Sequence, residues 1–442
     1  MKYIILSSLF LLGLFISPAW ALLILITFLV LILLARDQDP TDKNFLMSLF
    51  LIGLSLRLIF VFIVQFYLVN KGFCPGAIDS FADAFEGSIF FDEHNFIKAS
   101  REISFGLSNY GDYYFRNAHL VIISWFFSNF GYDPLFGKLL NCLWGVFSAL
   151  LVYRCTRIIF VDYAIAKFAA IFTMFYPSLL FWSVTNLRDQ VIIFLVVLFF
   201  YVLLKFYNRN FFYGFSLALI VAFIINIFRS GYFFIFAIFL VGVSLVRFIK
   251  KRRIILRSLL VGVIFILFFT LSSKNVISFG NRFLLRAADK QISNATATES
   301  EGNFLLFPLE FQHPSKHKFV PLRIVKNAYL NGLFYAVFAP FPWGSDIKTF
   351  MGSMIIVEAL IWYFCLVFII IGIIIGIYKN KLCLLAFSFL FINVSFLALF
   401  EGNVGTLFRH RAVIMPIYFI FLGNGFVFVF RRFLHVWNLR NN

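Results

Sequence analysis

Residues 355–377 read Ile-Ile-Val-Glu-Ala-Leu-Ile-Trp-Tyr-Phe-Cys-Leu-Val-Phe-Ile-Ile-Ile-Gly-Ile-Ile-Ile-Gly-Ile, a run whose single charge is Glu358. A helix needs about 20 apolar residues to cross ~30 Å of hydrocarbon, so this stretch is long enough to span a membrane. Comparable runs lie near 45–68, 135–158, 164–184, 190–207, 213–229, 231–247, 254–272, 382–400 and 412–430. The stretch 3–35 is too long for one upright span, and Ser17-Pro18 in its middle predicts a helical hairpin. The predicted fold class is an all-α polytopic membrane protein with about 11–12 transmembrane helices. Lys2, the apolar run after it and Ala19-Trp20-Ala21 imitate a signal peptide, but the run continues through Leu34, which favours a retained anchor.

Composition agrees, since 62% of the residues are hydrophobic and 13% charged, which excludes soluble globular, disordered and fibrous classes. The net charge of +18 would suggest nucleic acid in a soluble protein, but here the basic residues flank apolar runs, so no nucleic-acid partner is expected. Arg154 and Arg157, Lys205 and Arg209, the cluster Arg247 to Arg253, Lys379 and Lys381, and Arg431 and Arg432 mark alternate turns. The positive-inside rule makes those turns cytoplasmic. The other face then receives two large extracytoplasmic loops, 69–134 and 273–354, with short turns at Thr185 to Asp189, around Arg229, and at Glu401 to Arg411. The expected organisation is an N-terminal membrane hairpin or anchor (1–44), a transmembrane module with the first loop (45–272), the second loop (273–354) and C-terminal helices (355–442). No G-x-x-x-x-G-K-[ST] run occurs, and the cytoplasmic turns are short, so ATP-driven transport by this chain is excluded. The five scattered cysteines indicate packing and not a disulfide or metal framework.

Function is expected on the outer face. Asp92 and Glu93 precede an amphipathic helix in which Phe96, Ala99 and Ile103 share a face. Acids there either cap the helix or, desolvated by Phe90 and Phe91, supply a general base. Residues 117–130 are apolar with His119 and Trp125, but too short for a crossing; they read as an interfacial helix with His119 structural. Arg188 and Asp189 sit at a span end, where they either neutralise each other or meet a ligand. Arg229, Arg409 and Arg411 repeat the pattern, the last two in the polar turn that begins Glu401-Gly402-Asn403. Guanidinium groups there suit a phosphate, or anionic lipid headgroups. Glu310, His313 and His317 raise a divalent metal, although Pro314 disfavours a helical pair. Ala339-Pro340-Phe341-Pro342-Trp343 either shapes a lipid access groove or ends a helix. Glu358 needs a partner, for which Arg409 or Arg411 is available, and Arg57 raises the same question with none in view.

The order of these features resembles the GT-C membrane glycosyltransferases that use polyprenyl-phosphate sugars, in particular the protein mannosyltransferase and aminoarabinose transferase family. The likeness covers roughly 45–250: a first span, a large loop with Asp92-Glu93 ahead of an Ala99-containing helix, the juxtamembrane helix ending at Gly131, the Arg154 to Arg157 turn, Tyr176-Pro177-Ser178, and Arg188-Asp189. The remainder, with Pro340-Phe341-Pro342-Trp343 and Asn403-Val404-Gly405-Thr406, resembles members of the same group found with bacterial surface-polysaccharide synthesis. Phe115-Arg116-Asn117-Ala118-His119 replaces the family's frequent Lys-Pro-Pro. The resemblance implies that Asp92 is the base and that a polyprenyl-phosphate sugar donor is held by Arg229, Arg409 and Arg411, for a glycan, lipid or protein acceptor. It implies an extracytoplasmic site in a bacterial inner membrane, to which the 67 phenylalanines also point. Two rivals are an O-antigen or capsule repeat-unit polymerase, dependent on the later arginine loops, and a lipid-linked sugar flippase or transporter. Transporters place ionisable residues near the midplane of repeated bundles, whereas here most charge lies at span ends.

Overall fold

The computed structural model describes residues 17–36, 40–64, 91–109, 118–229, 231–249, 273–296, 304–312, 319–341 and 350–441. It divides into two compact units, Met1–Ser230 and Gly231–Asn442. Among the described residues the regular structure is helical. Eight helices are long and apolar enough to cross a membrane: Pro18–Ala35, Asp42–Phe62, Leu135–Phe160, Asp189–Phe206, Phe211–Phe228, Ile356–Lys379, Lys381–Phe400 and Met415–His435.

In unit 1 the order is α1 (Pro18–Ala35), α2 (Pro40–Phe62), α3 (Phe91–Ser104), α4 (Ala118–Phe130), α5 (Leu135–Phe160), α6 (Tyr163–Phe175), α7 (Pro177–Trp182), α8 (Asp189–Phe206) and α9 (Phe211–Phe228). Ser17 caps α1 by accepting from the Trp20 N–H, with Pro18 at its first position, so the helix begins where the hairpin break was expected. Residues 1–16, the other arm, lie outside the described residues. α5 and α8 are the central spans, each two-thirds enclosed (67%), and α5 packs against α2, α6 and α8. The span expected over 164–184 is instead two helices. Pro177 has no N–H to continue α6, and the chain breaks at Tyr176, which is extended (φ −64°, ψ 131°). α6 is therefore too short to cross by itself, which removes one of the expected straight spans; the run 254–272 falls outside the described residues.

Unit 2 contains α10 (Tyr232–Ile249), α11 (Ser273–Thr296), a 3-10 turn (Leu309–Gln312), α12 (Leu322–Phe338), α13 (Phe350–Lys379), α14 (Lys381–Phe400), α15 (Val404–Ala412) and α16 (Met415–Asn441). The segment expected as the second outer loop is largely built. α11, the 3-10 turn and α12 share a core of Leu285, Ala288, Ile292, Phe307, Phe311, Val320 and Ala328. α12 also packs along α14, with Tyr329 bonded to Ser395 at 2.8 Å, and exposes Leu330, Phe334 and Phe338 on its other side. Leu, Phe and Phe at four-residue spacing make an apolar stripe suited to lipid.

α13 and α16 pack more closely than side chains normally allow. A Cβ built on Gly372 would lie 1.9 Å from the Phe421 carbonyl oxygen, and one on Gly425 1.9 Å from that of Phe368. Small residues drive helix association in lipid because they let backbones approach, there being no hydrophobic difference between helix and tail. Asn424 Nδ2 donates to the Gly372 carbonyl at 2.8 Å across the same seam. Gly372→Ala and Gly425→Ala are each expected to lower stability by about 1–3 kcal/mol, and the double variant by less than the sum, since either methyl already forces the helices apart. Gly242→Ala, with open space around its Cβ, is the neutral control; thermal unfolding in detergent measures all four.

Candidate functional site

The turn between α7 and α8 is expected at the outer surface, yet Ser183, Val184, Thr185, Asn186 and Leu187 are all buried. A buried turn must find partners for its backbone groups within the protein. Asn141 Nδ2, from α5, donates to the carbonyls of Thr185 and Leu187, both at 2.7 Å. His119 Nε2, from α4, donates to the Asn186 carbonyl at 2.7 Å. Asn186 Nδ2 donates to the Pro134 carbonyl at 3.1 Å, and its backbone N–H donates to Glu93 Oε1 at 2.7 Å. Gly137 makes room for this arrangement, since a Cβ there would lie 2.2 Å from Asn186 Oδ1.

Glu93 is fully enclosed, as is Lys138, and the pair meets at 3.8 Å. This carboxylate ties the first turn of α3 to the sealed turn. Asp92 is its neighbour in α3; the side chain of Asp92 lies outside the described residues. Three residues beyond Asn186, Asp189 is buried and faces Arg229 Nη1 at 3.6 Å, with the Arg229 side chain 17% exposed. Arg188 donates to the Phe228 carbonyl at 3.1 Å, at the end of α9. The structure thus brings Glu93, Asp189 and Arg229 to one end of unit 1.

In unit 2, Asn403 caps α15 through the Gly405 and Thr406 N–H groups. Glu401 takes a hydrogen bond from Thr406 at 2.9 Å and contacts His410 Nδ1. Arg409 is half-buried. Arg411 is buried and donates to the carbonyls of Ala339 at 2.5 Å and Val337 at 3.3 Å, with its guanidinium 4.7 Å from the Trp362 ring centroid. Trp362 Nε1 and the Tyr363 hydroxyl donate to the Val337 and Phe338 carbonyls at 2.7 and 2.8 Å. Ala339-Pro340 therefore ends α12, and Arg411 seals that end. Glu358 lies one turn before Trp362 in α13 and is buried.

Arg57 receives the partner that the sequence leaves open. Its Nη2 donates to the Met174 carbonyl at 2.9 Å, and Nη1 to the Gly53 carbonyl at 3.1 Å and to Met174 Sδ at 3.0 Å. The Met174 carbonyl belongs to the last turn of α6, which Pro177 leaves short of donors. Gly145 admits the guanidinium, since a Cβ there would lie 2.7 Å from Arg57 Nε. Sequence reasoning missed Lys138 and Asn141, for which polar residues inside the apolar run 135–158 were the available signal, and Asn186, which the turn Thr185 to Asp189 contains.

Among the described residues no group of three or more His, Cys, Asp or Glu could hold a metal. His313 and His317 lie outside them, and Glu310 is exposed. No family model, curated protein or solved structure matches the chain.

Breaking the buried ion pair from one side leaves an uncompensated charge, at a cost of about 3–5 kcal/mol, whereas replacing both partners is far milder. Lys138→Met should therefore lower the thermal midpoint sharply, and Lys138→Met with Glu93→Gln should recover most of it. Burial also pushes the His119 imidazole down to about 4, despite its bond to Asn186. In the unfolded chain it protonates near 6.5, so its neutral form stabilises the fold fully above that pH, and the contribution is lost as pH falls towards about 4. His119→Gln, which can still donate to the Asn186 carbonyl, should flatten the decline in thermal midpoint over that window.

Proposed function

We propose that this chain is a GT-C-type membrane glycosyltransferase that moves a sugar from a polyprenyl-phosphate donor to a glycan, lipid or protein acceptor at the extracytoplasmic face of a bacterial inner membrane, in surface-polysaccharide synthesis. The observation that carries the reading is the pinning of α3 by Glu93, through Lys138 at 3.8 Å and the Asn186 N–H at 2.7 Å. A catalytic carboxylate works when its backbone is immobile, and Asp92 is one residue from this anchor. The sealed turn that holds Glu93 leads directly into Asp189 and its partner Arg229.

In this mechanism Asp92 takes the proton of an acceptor hydroxyl. The acceptor oxygen attacks the anomeric carbon, the bond from that carbon to the phosphate oxygen breaks, and the polyprenyl phosphate leaves with the electron pair. Arg229, held by Asp189, is the cation assigned in this reading to the negative charge that grows on the leaving phosphate, since a preorganised cation there lowers the barrier. Arg188 and Arg411 contribute to structure, because their guanidinium groups are bonded to helix-end carbonyls.

The test is sugar transfer by the purified protein in detergent, using a polyprenyl-phosphate sugar fraction labelled in cells. Asp92→Asn should reduce transfer by about 10²–10⁴-fold with an unchanged thermal midpoint, and Arg229→Gln should reduce it less. Near-normal transfer by Asp92→Asn, with loss in Arg409→Ala, would transfer the assignment to a repeat-unit polymerase. Lipid movement across vesicles without any transfer would favour a flippase.

A further inference from the structure

At the opposite end of unit 1 a buried carboxylate organises a cluster of cations that the proposed reaction does not use. Asp42, 4% exposed, lies 3.8 Å from Arg154 Nη1 and 3.9 Å from Arg157 Nε, and accepts a hydrogen bond from the Tyr153 hydroxyl. Two carboxylates, Asp42 and the α6 N-cap Asp162 beside Val161, stand among the cations Arg154, Arg157 and, in the last turn of α8, Lys205, so one positive charge is in excess. Both arginines also reach the surface, their side chains being 35% and 20% exposed. Arg157 stacks 3.6 Å over the Tyr163 ring and donates to the Val161 carbonyl at 2.5 Å, so its guanidinium is held in one orientation. On the neighbouring span, Lys205 lies 5.5 Å from the Tyr201 ring centroid; Trp144 of α5 stacks on Phe194 of α8 at 4.7 Å, and the two helices run in the same direction, so Lys205 comes level with Arg154.

We propose that this cluster, between the last turns of α5 and α8, seats the phosphate headgroup of an anionic phospholipid. The basic groups come from two packed spans, which is the arrangement that binds acidic headgroups between membrane helices. Tyr163, 38% exposed, and Val161, 72% exposed, provide the mixed aromatic and apolar rim of a site at headgroup depth. A phosphate presented on acyl chains meets both the cations and that rim, whereas a free phosphate meets only the cations. The charge count supports binding without any change in Asp42, which remains paired while the arginines' exposed edges face the lipid.

The experiment is native mass spectrometry of the full chain released from nanodiscs of phosphatidylglycerol or phosphatidylcholine. Retention of phosphatidylglycerol over phosphatidylcholine is expected, weakened about fivefold by Arg154→Gln or Lys205→Gln, each removing one cation near the surface. Both variants should keep the wild-type thermal midpoint in phosphatidylcholine, since neither removes a helix-end cap; Arg157→Gln is avoided for that reason. Equal retention of the two lipids, or equal retention of phosphatidylglycerol by wild type and both variants, would overturn the proposal. So would a rise in thermal midpoint in phosphatidylcholine discs with inorganic phosphate that matches the rise in phosphatidylglycerol, because the ligand would then be the soluble anion.

Discussion

The last carbonyls of a helix have no donor within that helix, and in hydrocarbon no water supplies one. Each such group left alone costs several kcal/mol. Among the described residues this protein meets the constraint three times with arginine: Arg57 at the end of α6, Arg188 at the end of α9 and Arg411 at the end of α12. The choice has a physical basis. A guanidinium offers several fixed donors, stays charged in apolar surroundings, and meets the negative end of the helix dipole. At Arg57 the acceptors are two carbonyls and a thioether, so the helix end takes the part that a carboxylate plays elsewhere.

These caps change how the charged residues divide. Groups that line up in the sequence as one set of expected outer charges separate into those enclosed by the fold and those whose side chains still reach the surface. Glu93 and Lys138 are wholly enclosed, Arg188 and Arg411 hold helix ends, and Asn403 is an ordinary N-cap. Arg229, at the end of unit 1 that holds the sealed turn, faces a carboxylate and still reaches the surface. The sealed turn, held by Asn141, His119 and Glu93 from three different helices, is the reason these positions are rigid.

Span positions were legible because hydrocarbon thickness writes itself into apolar run length. The runs at 135–158, 190–207, 213–229 and 382–400 return as helices with ends shifted by a few residues. The 164–184 run misled because its hydropathy is continuous across Tyr176-Pro177, while the backbone is not. The built segment around α11 and α12 was hidden for another reason. Its core of Leu285, Phe307, Phe311 and Val320 is assembled from pieces too far apart for any local pattern. The roles of Glu93 and Arg411 were also unreadable. A carboxylate bonded to a peptide N–H 93 residues away, and a guanidinium on a carbonyl 72 residues away, leave no trace in spacing.

The break at Tyr176 has a consequence for biogenesis. A segment that stops short in the bilayer is a poor independent passenger of the insertion machinery, because its open end has to be satisfied before lipid surrounds it. The guanidinium that does this arrives 117 residues earlier in the chain, on α2. Synthesis from the N-terminus therefore delivers the donor before the acceptor. Residues 163–182 can settle against a helix already waiting in the membrane, and a version of the chain with that order permuted would expose the open end to lipid first.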